Sequence, residues 1–326
     1  MVTAKDRQQP EQSQVNQLQT PITLENATLR LRLRPDLGGR IDQFLHLPSG
    51  RDWVWHPPTY DLTADPTTDP TATRELEIGT GFDDHWQGGW DEVFPNDMAQ
   101  TFEGRSLVDH GELWSQPWQV KQQSPLEVTL RYDCQTVPVT VEKTIRLAAS
   151  QPAVQIEYHL QNHSATVIPF LLKLHAALAI QEGDQIDLPD CQIQPVTLDF
   201  SKIIGRDQIT PFPQALAADG SAVDLRPIPP RISQLQEFYY ALNLTSGSCG
   251  IRDPQGNSLQ MQFDTADFPY VWLFQSYGGW HDHYVLVMEP CTTLPYDLEA
   301  AVRNHTAALL PPHAHQHRSL TIQLTP

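Results

Sequence analysis

The chain has 326 residues, 40% of them hydrophobic and 18% charged, which suffices for a sizeable core in one large domain or two small ones. Its 39 acidic against 21 basic side chains leave a net charge of −18, a field that repels nucleic acid and anionic membranes and disfavours highly phosphorylated ligands. Cys134, Cys191, Cys249 and Cys291 lie far apart with no CxxC, so the sequence implies neither a zinc site nor a disulfide framework, and no cofactor motif accompanies them.

Residues 1–20 are polar and Gln-rich and are predicted to be a disordered tail, with one domain over 21–326. They contain no apolar run, and no later stretch reaches the length of a membrane span; a soluble, cytoplasmic protein is expected. Strand patterns follow directly. "TLRLRLRP" alternates Leu29, Leu31 and Leu33 with Arg30, Arg32 and Arg34 until Pro35. Residues 56–97, rich in Pro, Thr, Asp and Gly, read as a long irregular connection. Alternation returns in "LEVTLRY" (126–132), "AVQIEYHL" (153–160), "SLQMQF" (258–263) and "SLTIQL" (319–324). "ISQLQEFYYAL" (232–242) fits a helix or a strand. The 28 prolines break long helices and suit strand ends and loops. The pattern predicts an all-β fold of large, packed antiparallel sheets.

Four segments hold residues fit for chemistry. In "GGWDEVFPND" (88–97) two glycines lead to Trp90 beside Asp91 and Glu92. A sugar needs such a pairing, because its C–H faces pack on aromatic rings while its hydroxyls donate to carboxylates; a bland alternative has Trp90 plugging a sheet edge. In "DHGELW" (109–114) His110 precedes a glycine, which suits a tight backbone or a simple turn. "PFLLKLHAALAI" (169–180) is apolar except for Lys173 and His175. As a strand it turns Leu172, Leu174 and Ala176 one way and Lys173, His175 and Ala177 the other, into a cavity or a hydrogen-bonded core. In "YVLVMEPCTTLPYDL" (284–298) Glu289 follows an apolar strand and precedes Pro290; a carboxylate there is costly without a partner or a task. "HAHQH" (313–317) places imidazoles along one strand but lacks an accompanying carboxylate, so no metal site is expected, and "HDH" (281–283) reads as a solvated turn. P-loop, GxGxxG, GxSxG and HExxH motifs do not occur.

The order of these segments carries a resemblance. "LGGRIDQF" (37–44), then the "HG" of 110–111, His175 on an apolar strand, "EP" at 289–290 and the closing "LLPPHAHQHRSLTIQL" together resemble the aldose 1-epimerase, or galactose mutarotase-like, family over residues 22–326. The resemblance implies a β-supersandwich with an open sugar cleft and no cofactor. It implies a general acid at His175, a general base at Glu289, and at His110 a histidine near the ring oxygen. Arg74 is the arginine available for a substrate hydroxyl, and Asp264 or Asp267 the candidate for the family's substrate-binding aspartate. "GGWDEVFPND" replaces the Arg-Asn segment of galactose-specific members, so the sugar is not specified. The activity so implied interconverts the anomers of a hexose by opening the hemiacetal. The partner is a small-molecule sugar, with neither nucleic acid nor membrane expected. A hexose-6-phosphate variant would need clustered Arg or Lys. The competing class is a non-catalytic carbohydrate-binding or sugar-sensing protein on the same scaffold, and an accessory domain of a lyase or hydrolase is a third.

Overall fold

A computed structural model describes residues 20–63 and 77–325. Arg74 and, apart from Thr20, the predicted tail lie outside these residues. Two large antiparallel sheets face each other. The first runs, in spatial order, Ile22–Glu25, Leu29–Arg34, Arg40–His46, Trp90–Val93, Lys173–Ala179, Tyr284–Cys291, Tyr270–Tyr277, Leu235–Leu242, Gln192–Pro195 and Thr210–Pro211, with Arg51–Asp52 paired outside this path to Arg40–His46. The second has eight strands: Gln185–Asp187, Ser248–Arg252, Ser258–Phe263, His315–Thr325, Ala153–Asn162, Val139–Leu147, Glu127–Asp133 and Gln119–Ser124. No helix among the described residues is long and apolar enough to cross a membrane.

Alternating residues explain why the sheets stack. Leu29, Leu31 and Leu33 are fully buried in the main core, together with Val141, Ile145, Val154, Ile156, Leu320 and Ile322 from the second sheet. Leu172, Leu174, Ala176 and Leu178 belong to the same core. Ala177, one residue out of phase, packs instead with Val285 and Val287 in a separate cluster on the first sheet's opposite face. Thus the strand at 173–179 has two environments, and its polar residues share the face of Ala177.

The prediction of an irregular connection through 56–97 fails at its end. Trp90–Val93 is an interior strand, paired with Lys173–Ala176 and, at Trp90, with Ile41. All four of its residues are buried, so both faces are covered and the sequence shows no alternation. Two of the four are carboxylates, which gives an interior strand the composition of a loop. "ISQLQEFYYAL" resolves into a short 3-10 turn, Arg231–Ser233, and the strand Leu235–Leu242.

Candidate active site

The register of the first sheet builds the floor of a cleft on the face away from the main core. Asp91 pairs with His175. Lys173 pairs with Cys291 and Ala176 with Met288, a register that sets His175 opposite Glu289. Glu289 pairs in turn with Trp272, and Trp272 with Tyr240. One row therefore crosses five strands as Asp91, His175, Glu289, Trp272 and Tyr240. Pro290, which has no N–H, lies beside the acid residue in this row.

The cleft holds about 280 Å³. Its ionisable lining is Asp83, Asp97, His110, Lys173, His175 and Glu289, and its aromatic lining is Phe82, Trp86, Phe200, Phe238, Phe274 and Trp280. His175 Nε2 lies 3.2 Å from Glu289 Oε1. Lys173 Nζ lies 2.5 Å from Asp97 Oδ2 and 3.4 Å from Glu289 Oε2. The ammonium also sits 4.6 Å from the centre of the Trp272 ring. His110 Nε2 is 3.9 Å from Asp97 Oδ1, and its ring centre is 6.1 Å from that of His175. The five groups Asp97, His110, Lys173, His175 and Glu289 thus form one chain of contacts.

Each is fixed by its backbone. His110 has a left-handed φ of 56° and donates its N–H to the carbonyl of Asp97 at 2.6 Å. Gly111 follows at φ 62°, and a Cβ there would stand 2.0 Å from the carbonyl oxygen of Phe94. Only glycine permits this approach, which bridges the two segments at Phe94 and Gly111. Phe82, in the short helix Phe82–His85, stacks on His110 at 4.0 Å and meets His175 edge-on at 5.1 Å. Trp86 meets His175 edge-on at 5.4 Å. Glu237 anchors the loop that carries Phe200 into the cleft: its carboxylate accepts from the Ser201 hydroxyl, from Ile203 N at 3.1 Å and from Ile204 N at 2.8 Å.

Burial dominates the ionisation of the floor. It pushes the Glu289 carboxyl up to about 7, against the opposing pull of Lys173. It drives His175 well below the usual imidazole range, with Lys173 and His110 adding to the effect. Lys173 is held above the usual lysine range: Asp97 and Glu289 outweigh the cost of its burial. Burial thus favours the neutral form of His175 near pH 7, which does not suit the general-acid role that the resemblance implies.

His110, His175 and Glu289 line one cleft, and His175 and Glu289 touch each other. Trp90 and Glu92 lie elsewhere. Both point from their strand into the space between the sheets, opposite to Asp91. Trp90 is part of the main core. Glu92 accepts hydrogen bonds from Lys143 Nζ at 2.6 Å and Tyr158 Oη at 2.7 Å. Asp91 shares the face of His175 but is 1% exposed and is not part of the cleft lining. Its carboxyl is pushed up to about 7 by burial, opposed by Arg40. Asp267 pairs with Arg318 at 3.2 Å, and neither Asp264 nor Asp267 reaches the cleft.

The sequence reading placed Lys173 on the face of His175 without giving it a role, and missed Asp97 and the aromatic wall. Asp97 closes the same "GGWDEVFPND" segment whose earlier residues drew attention. Phe82 and Trp86 stood in the visible run "GFDDHW", where aromatic residues in a polar loop are themselves a signal. His315 and His317 lie on the outer face of the second sheet, where His315 Nδ1 is 3.0 Å from His159 Nε2, and His313 precedes the strand.

Two stacked antiparallel sheets with a cleft on the outer face of one of them match the galactose mutarotase-like sandwich, and this chain has that fold. The Slr1438 protein of Synechocystis sp. PCC 6803 is similar at a TM-score of 0.67 and 16% identity, over 94% of this chain and 95% of that one. A galactose mutarotase-like protein of Lactobacillus casei ATCC 334 gives 0.64 and 16%, over 94% and 100%. A galactose mutarotase related enzyme of Lactobacillus acidophilus gives 0.65 and 13%, over 94% and 97%. A family model described as alpha-amylase/4-alpha-glucanotransferase, C-terminal, matches residues 80–201. No curated protein matches the chain.

Proposed function

We propose that the protein is an aldose 1-epimerase acting on a neutral sugar, with His175 and Glu289 as its proton-transfer pair. The observation that carries this reading is the 3.2 Å contact between Nε2 and Oε1 at the floor of an aromatic-walled cleft. Anomer exchange requires proton transfer at two oxygens bonded to the same carbon, the C1 hydroxyl and the ring oxygen. Those two oxygens are close together, so groups that serve them can be neighbours, and a touching pair is compatible with the reaction.

With Glu289 raised to about 7 and His175 neutral, the pair carries one proton near neutrality, on Glu289. Glu289 gives that proton to the ring oxygen as the C1–O5 bond breaks. His175 Nε2 takes the proton of the C1 hydroxyl as the carbonyl forms. Rotation about C1–C2 turns the other carbonyl face to the ring-closing hydroxyl. On closure Glu289 recovers its proton from that hydroxyl and His175 returns one to the carbonyl oxygen, so the pair is regenerated. The ion-pair tautomer, with His175 cationic and Glu289 ionised, assigns the roles in the sense the family resemblance implies; burial favours the neutral tautomer. Each acid–base contribution is typically about 10²–10⁴-fold.

The aromatic residues offer stacking faces for the sugar ring. Among the described lining residues Lys173 is the one Lys or Arg, and two carboxylates already occupy it. A neutral aldose suits that electrostatic environment better than a phosphorylated one. The test is polarimetry, or NMR exchange, over a panel of free aldoses and their 6-phosphates. Acceleration of a free aldose supports the proposal. Acceleration of the phosphates alone would replace its substrate class, and saturable binding without acceleration would make the protein a sugar binder.

A further inference from the structure

Lys173 and Asp97 have no part in the proton transfers just described, yet both are buried in the same cleft at 2% and 8% exposure. We propose that Lys173, shared between Asp97 and Glu289, is a positioning residue that sets the ionisation of Glu289, and that Asp97 limits how much of the lysine's charge Glu289 receives. This rests on the proposed proton-transfer role of Glu289.

The geometry is that of one cation between two carboxylates. Nζ is 2.5 Å from Asp97 Oδ2 and 3.4 Å from Glu289 Oε2, so the nearer carboxylate takes the stronger interaction. The lysine approaches the oxygen of Glu289 that His175 does not touch, leaving Oε1 for the proton exchange. Several elements around Glu289 add an ionisable group to the balance, whereas the strand Tyr270–Tyr277 faces it with Trp272. Its other neighbouring strand supplies Lys173 and His175, the segment after Val93 supplies Asp97, and the loop before Gly111 supplies His110. Cys291 lies on its own strand beside Lys173, and Asp83 lines the cleft from the short helix. Removing Lys173 leaves Asp97 and Glu289 as two buried carboxylates with no cation between them. Removing the charge of Asp97 leaves the lysine to Glu289 alone. The two changes therefore push Glu289 in opposite directions. The flanking carboxylates favour the protonated form of Lys173, which disfavours its acting as an amine nucleophile toward the open-chain aldehyde.

The experiment follows the Glu289 carboxyl by ¹³C NMR as a function of pH in protein labelled at the glutamate side-chain carboxyl, with the resonance assigned by its loss in Glu289→Gln. Lys173→Met should move the titration of Glu289 upward by about one pH unit or more, and Asp97→Asn should move it downward by a similar amount. The pH profile of anomer exchange should move in the same directions. Lys173→Arg retains the charge and should titrate nearer to wild type than Lys173→Met does; if the methionine variant does not fold, Asp97→Asn carries the test. Titration unchanged in Asp97→Asn, unchanged in a folded Lys173→Met, or moved in one direction by both losses of charge, would overturn the inference. A wild-type protein with no exchange activity would sink the proposed function, while the carboxyl titration would still decide this inference.

Discussion

His175 is the residue where sequence and chemistry meet most closely. An imidazole on an apolar strand has an ordinary explanation as a buried hydrogen-bonded group, but here its Nε2 faces Glu289 in a cleft and its Nδ1 has no hydrogen-bond partner among the described residues. His175→Asn and Glu289→Gln should each slow anomer exchange by about 10²-fold or more. The double variant should lose less than the product of the two, because either change breaks the same relay. Sugar binding, followed by calorimetry, should survive in part; a single variant with undiminished exchange would remove that residue from the mechanism. Trp90 and Glu92 belong to a different account. Trp90→Ala empties a fully buried site and should cost about 3–5 kcal/mol of unfolding free energy, with sugar affinity in the folded fraction unchanged. Urea denaturation alongside a binding titration separates the two outcomes, and weakened binding at unchanged stability would place the indole at the sugar.

At the scale of elements, the cleft depends on two loops tied down by backbone contacts. The His110 loop is held by the close approach of Gly111 to Phe94, and the Phe200 loop by the Glu237 carboxylate. Glu237→Gln weakens the charge-assisted bonds to Ile203 and Ile204 without changing the shape of the side chain. It should raise KM for the sugar several-fold with a smaller effect on kcat, because Phe200 touches the cleft wall and not the proton-transfer pair. Steady-state kinetics on the accelerated aldose checks this, and an equal loss in kcat with KM unchanged would contradict it. The strands with one buried face were legible in the sequence: "TLRLRLRP", "AVQIEYHL", "SLQMQF" and "SLTIQL" all alternate and all lie in strands. Trp90–Val93 was not, because an interior strand buried on both faces has no alternation to read. The cleft was legible only in part. His175 and Glu289 stood out as ionisable residues in apolar runs, whereas Asp97 sat among loop-like residues. Its role depends on the left-handed turn at His110, which no local pattern announces.

At the scale of the whole molecule, the two sheets are pinned together by a buried polar contact as well as by aliphatic packing. Lys143, from the second sheet, donates to Glu92 in the first and to the carbonyl of Gly39 in the turn before its strand Arg40–His46. Buried carboxyls also shape how stability depends on pH. Asp91 titrates near 7 in the folded chain because burial raises it from the ordinary range, so the native state binds its proton more tightly than the unfolded state does. The resulting stabilisation is fully present below the ordinary carboxyl range and is lost as pH rises through about 7. Wild type should therefore lose stability between pH 5 and pH 8 more steeply than Asp91→Asn, as read from urea midpoints. Equal slopes would mean that Asp91 titrates normally.

The most direct test of the touching pair as a proton-transfer device is the rate of anomer exchange across pH 5 to 9, with the best-accelerated aldose and wild-type protein beside Glu289→Gln. The expected profile falls through an alkaline limb near pH 7, where the pair loses its single proton, while the acid limb, where His175 gains one, lies well below the usual histidine range. The Glu289→Gln variant should lie about 10²-fold below the wild-type maximum and lack that alkaline limb, because glutamine has no proton to lose there. Wild-type exchange no faster than buffer at every pH, or the wild-type profile retained at full height in the variant, would contradict it.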